Sequence, residues 1–124
     1  MMPYQYVVLR CVPRVDREEF VNVGVVLYCQ AAGFLATAHR VDGGRLLTLD
    51  PDLDVAGVVE ALESAQAVCE GREARGLPHL ESLGRRFGWL AAPRSTVIQP
   101  GPVHSGLTND PAGALSALLD RYVA

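Results

Sequence analysis

The chain has 124 residues, 49% of them apolar and 20% charged, with 11 basic against 14 acidic side chains and a net charge of −3. That balance suits one globular α+β domain spanning residues 1–124, and it excludes a disordered tail, a bilayer-spanning run of ~20 apolar residues and a basic field that gathers nucleic acid. The start, Met1 to Tyr6, lacks the basic segment and apolar stretch of a secretory signal, so the protein is expected to stay in the cytoplasm.

Tyr4 to Val12 is rich in Tyr, Val and Leu and stops at Pro13, which reads as a strand. Arg14 to Phe20 is a charged connection. In Val21 to Cys29 the residues Val21, Val23, Val25 and Leu27 alternate with Asn22, Gly24, Val26 and Tyr28, a second strand. Gln30 to Gly33 makes a short turn and Phe34 to Arg40 returns as a third strand, so the N-terminal part reads as a meander built on a hairpin. Gly24 sits in a β-branched run where glycine weakens a strand unless a bulge or a close backbone approach requires it.

Beyond Asp42, Gly43 and Gly44, the short apolar stretch Arg45 to Leu49 is not assigned by its pattern. Asp50 and Pro51 fit an N-cap with proline in the first turn. Val55, Val58, Val59, Leu62, Ala65 and Cys69 then recur at helical spacing, with Gly71 placed as the stop. A second helix is expected from near Pro78 to Gly88, burying Leu80, Leu83 and Phe87. Thr96 to Gln99 is a candidate fourth strand, and a last helix begins at Asn109 or Asp110 with Pro111 in its first turn. Strands first and helices later predict an antiparallel sheet of three to four strands with about three helices packed on one face. Ala91 to Pro111 holds four prolines and reads as mostly loop, a length that is commonly functional or disordered.

The chemistry-bearing residues are sparse. Cys11, Cys29 and Cys69 are widely spaced, each among apolar neighbours, and read as buried reduced thiols rather than as a disulfide or metal site. All the basic residues are arginine, which a GC-rich genome produces without any need for anion recognition. His39, His79 and His104 lie in three distant segments, so no metal or other cofactor is expected. His104 beside Ser105, with Asp110 near, has the residue types of a nucleophilic triad, but adjacent residues rarely supply workable geometry, and a loop serine with a solvated histidine is the simpler reading. No catalytic signature points to an enzyme.

Two surfaces are candidates. Any small-ligand site is expected where the Pro-rich segment meets the Val12 to Asn22 connection, using Arg14, Glu19, Asn22, Arg94, Ser95 and His104, with Arg14 and Arg94 clamping an anion. Strand parity puts Val7, Leu9, Val25 and Leu27 on the core face. The opposite face carries Tyr6, Arg10, Asn22, Tyr28, Thr37 and His39, and Tyr6, Tyr28 and His39 suit a partner interface there. The negative net charge favours a protein over a nucleic acid as that partner, and a homodimer is an alternative.

Three stretches, YVVLRCVP at Tyr6 to Pro13, REEFVNVGVVLY at Arg17 to Tyr28 and RFGWLAAPRSTVIQPGPVHSGLT at Arg86 to Thr108, resemble the uncharacterised bacterial family DUF3037. The resemblance implies no catalytic role for any residue. It implies a gene neighbourhood beside HipA-like kinase proteins, and so a companion or regulator of such a kinase. The expected function is therefore a small protein-binding or regulatory domain; the alternative is a small anion-binding or hydrolytic enzyme using the Arg14, Arg94 and His104 region.

Overall fold

The structure, a computed structural model, describes residues 1–73 and 75–124. Its sheet is antiparallel and built on β1 (Met2–Cys11), which pairs along one side with β2 (Val21–Cys29), itself paired with β3 (Phe34–His39). Along its other side β1 pairs with two short strands in succession, β4 (Ile98–Pro100) beside its C-terminal end and β5 (His104–Thr108) beside its N-terminal end. β4 and β5 act as one edge strand broken in the middle. Pro100 and Pro102 bring no N–H to the ladder, and only Gly101 between them donates, to the Val8 carbonyl at 2.8 Å. Eight residues of the segment expected to be mostly loop are thus sheet edge, where proline is tolerated. β5 escapes sequence reading because its HSGLT run has no apolar alternation.

Four α-helices are present among the described residues: α1 (Gly43–Leu49), α2 (Val55–Glu70), α3 (Leu83–Ala91) and α4 (Pro111–Tyr122). α1 is the stretch that the pattern left unassigned. Its N-cap Asp42 accepts from the Arg45 N–H, and Leu46 anchors it with a fully buried side chain. Asp50, expected to cap α2, instead ends α1, donating its N–H to the Leu46 carbonyl, and Asp54 caps α2 by accepting from Gly57 at 3.0 Å. α3 starts later than expected, at the Ser82 cap, because Arg86 reaches back to the Leu80 and Glu81 carbonyls and holds that approach in a non-helical course. Gly71 stops α2 as expected, at φ 68°, and Arg86 packs over it so closely that a Cβ there would stand 2.7 Å from the guanidinium.

The helices do not share one face, and this corrects the expected layering. α2 and α3 cover Val7, Leu9, Cys11, Val23 and Val26, whereas Leu115 and Leu118 of α4 cover Tyr6, Val8, Val25, Leu27 and Cys29 on the opposite side. Register explains both the correction and the wrong parity. Tyr6 stands opposite Leu27 and Val7 opposite Val26, so Val7 and Leu9 lie on one face while Val25 and Leu27 lie on the other. Because YVVL and VVLYC are apolar at both parities, alternation carries no information about which side is covered, and both sides are. No helix among the described residues is long and apolar enough to cross a membrane.

The pairing slips between Leu9 and Arg10, which leaves Val23 as an extra residue in β2, a bulge that keeps Val23 and Gly24 on the α2 side. Gly24 is then pressed against β3: a Cβ would stand 2.9 Å from the Ala38 carbonyl oxygen and 3.2 Å from the His39 Cβ. Gly24→Val is expected to lower stability by about 1–3 kcal/mol despite valine's better strand propensity, as overpacking does. A chemical melt with an unchanged midpoint would refute that.

The three cysteines are free and buried, Cys11 and Cys69 under α2 and α3 and Cys29 under α4. Burial pushes the Cys11 thiol up from 9.0 to about 11. The Cys69 thiol rises from 9.0 to about 12, again through burial, with Glu70 adding to the effect. The folded state therefore retains protons that the unfolded chain releases, so this stabilisation is complete below pH about 9 and is lost as pH climbs toward about 12. The chain has no lysine to add to that window. Thermal melts are expected to show a melting temperature that falls steadily across it; a flat profile would mean that the thiols are open to water in the folded state.

Candidate functional site

The β1–β2 connection and the Pro-rich segment do meet, tied by the Val12 N–H donating to the Val97 carbonyl at 2.7 Å. The connection makes a 3-10 turn at Val15–Arg17, closed by Glu18 at φ 57°. A left-handed glutamate is an unusual backbone state, and here it turns the chain so that Phe20 comes back over β1. The junction holds a shallow depression of about 320 Å³ between Val12, Val15, Glu18 and Phe20 on one side and Gln99 and Pro100 on the other, with Arg10 in its floor. The Arg10 guanidinium lies 4.3 Å from the Phe20 ring centre, on the α4 side of the sheet, and its Nε is buried without an acceptor among the described residues.

The six residues expected to share this site are dispersed. Arg14 is exposed at the start of the 3-10 turn, and Glu19 pairs with Arg17 at 2.7 Å. Asn22 donates to the Tyr122 carbonyl at 3.1 Å, helping to close the end of α4. His104 projects toward the α4 face with its ring 5.2 Å from Tyr6, and Ser95 is exposed. Arg94 turns to the α2 side, stacking 4.2 Å above the Trp89 ring, with Nη2 donating to the Trp89 carbonyl and Nε to Ala92. Arg94 is thus engaged at the end of α3, while Arg14 is exposed at the start of the 3-10 turn. His104, Ser105 and Asp110 do not make a triad: neighbours on β5 project to opposite faces, and Asp110 accepts from Gly113 as the α4 cap.

Arg94 borders a cleft of about 250 Å³ between α2, α3 and β4. Leu9, Leu90 and Ile98 supply apolar floor, while Ser64 and Thr96 bring hydroxyls. Burial pulls the Arg94 guanidinium below its ordinary value. Sequence reasoning picked Arg94 for the ligand site and set Arg10 on the candidate partner face, but it left out Ser64 and Trp89, which no local pattern marks.

The expected partner face divides in the same way. Tyr6 lies under α4 with 7% of its surface exposed, whereas Tyr28 and His39 belong to the α2 face. Tyr6 is instead the centre of an internal aromatic group: its hydroxyl is 3.0 Å from that of Tyr122, and Tyr4 stacks at 6.0 Å. Burial and the Tyr122 hydroxyl push the Tyr6 phenol up to about 12. Tyr28 packs on Phe87 at 5.5 Å and borders a broad depression of about 670 Å³. That depression lies where α2 and α3 fall short of the N-terminal end of β1, between Pro3, Gln5, Tyr28, Gln30 and Ser105. No Asp, Glu, Lys, Arg or His lines it.

Three ligating side chains do not come together anywhere among the described residues. The tyrosine pair has a structural consequence: Tyr122→Phe should lower stability by about 1 kcal/mol through the lost hydroxyl contact, measurable as a shifted denaturation midpoint. No change would show that the two hydroxyls are satisfied equally well by water. No curated protein and no solved structure matches the chain. The model of the protein family of unknown function DUF3037 matches residues 6–123, nearly the whole chain, and the protein belongs to that family.

Proposed function

We propose that this protein is a non-catalytic binding domain that takes an extended segment of another protein at the open end of its sheet. The observation that carries the reading is the conjunction of a broad surface depression of about 670 Å³ with an unpaired strand edge. β5 pairs with β1 alone among the described strands, so its outer N–H and C=O groups face outward. Val103 and Leu107, 47% and 62% exposed, put apolar side chains on that edge, and Pro3, Gln5 and Ser105 continue the surface inward. Main-chain bonds to an added strand with shallow pockets for alternate side chains suit a peptide segment. The absence of charge in the lining disfavours a phosphorylated or strongly acidic ligand.

A His104–Ser105 pair lends nothing to the hydrolytic alternative, since neighbours on β5 project to opposite faces. A HipA-like kinase protein is the companion that the sequence resemblance suggests, in a bacterial cytoplasm. Tyr28 is a poor probe because it is half-buried against Phe87, whereas Gln5 and Leu107 are exposed. Co-expression with that companion followed by size-exclusion chromatography is expected to give a complex that Gln5→Arg and Leu107→Glu each weaken, with circular dichroism unchanged. A complex that survives both substitutions would place the interface elsewhere, and no complex at all would remove the kinase as partner.

A further inference from the structure

We propose that the cleft between α2, α3 and β4 binds a small carboxylate with an apolar body, held through Arg94. This site is separate from the open end of the sheet and does not depend on it. Arg94 is fixed before any ligand arrives. Two carbonyls at the end of α3 accept from Nη2 and Nε, and the Trp89 indole supports the guanidinium plane. A guanidinium has five N–H donors in a fork, so the rest remain for an incoming anion, and their direction is set by the indole and the carbonyls. No Asp or Glu lines the cleft, and Arg94 makes no ion pair among the described residues.

The remainder of the cleft selects the other end of the ligand. Leu9, Leu90 and Ile98 are buried and form its apolar floor, beside β4. On α2, Ala61 and Ala65 stand one turn apart facing this space, where larger side chains would fill it. The Thr96 hydroxyl donates to the Ile98 carbonyl at 2.6 Å, so its lone pairs, like the Ser64 hydroxyl, remain for a polar atom near the guanidinium. One cation and no second one in the lining matches a single negative charge rather than a dianion such as phosphate. A cleft of about 250 Å³ holds a ring or a short branched chain, not a nucleotide. Were Arg94 no more than a cap for α3, its two carbonyl bonds would account for it, but they leave unexplained why the adjoining space is kept open by alanines.

The test is titration of the full chain with benzoate, 3-methylbutanoate, benzamide and inorganic phosphate, followed by amide chemical shifts. Benzoate and 3-methylbutanoate are expected to bind and to shift Ser64, Trp89 and Thr96, while benzamide and phosphate do not bind. Arg94→Gln should weaken benzoate at least about tenfold, the loss of one charge-assisted pair. Ala61→Leu should abolish binding without lowering the melting temperature, which distinguishes a blocked cleft from a damaged fold. Binding of phosphate as strong as that of benzoate, benzoate binding unchanged in Arg94→Gln, or no benzoate-dependent shift in the parent would each overturn the proposal. If Arg94→Gln fails to fold, Ala61→Leu alone decides the matter.

Discussion

The structure depends on the pair of adjacent central strands being apolar on both faces. Val7 and Val8 are neighbours in β1, point in opposite directions, and are both buried; Val25 and Val26 do the same in β2. A strand pair of that kind leaves about 2 kcal/mol of unfavourable exposure for each large side chain left open to water, so cover is needed on both sides. The chain meets the demand with helices from two distant regions. α2 and α3 follow the meander directly, but the other face waits for α4, which begins about a hundred residues after β1 and arrives last.

That late arrival is secured at its end rather than along its length. The final carbonyls of α4, which have no partners within the helix, accept from Asn22 in β2 and from Arg40 beyond β3, at 3.1 and 2.9 Å. Arg40 also pairs with Asp120, and Tyr6 meets Tyr122 from beneath. Asn22 therefore spends its amide on architecture. The cover on the first face is incomplete, and both candidate binding places follow from that. α2 and α3 reach Val7, Leu9 and Cys11 but leave Pro3 and Gln5 bare, and small side chains on α2 keep a gap against β4.

Much of this was legible from residue order. The hairpin, the stop at Gly71 and a helix start at Asn109 or Asp110 are local matters, each written in a few adjacent residues. The layering was not, because burial on both sides erases the alternation that would report a face. Nor was β5, whose polar run is what a wet sheet edge requires, or α1, whose seven residues are too few to show a helical period. The side to which an expected site residue turns is hidden for a related reason: His104 goes to the α4 face and Arg94 to the α2 side, which nearness of loops along the sequence does not report. Arg10 shows the converse: a solitary guanidinium within YVVLRCV marked a polar position on the α4 face, beneath Phe20.

The break between β4 and β5 bears on how the molecule behaves in a crowded solution. An uninterrupted edge from Ile98 to Thr108 would be a template long enough for one copy to recruit another and that copy a third. The paired prolines at positions 100 and 102 cut the template to the five residues of β5. Whatever adds there has few rungs to climb and a fixed stopping point, so the edge favours a short, reversible visitor and resists growth into fibres.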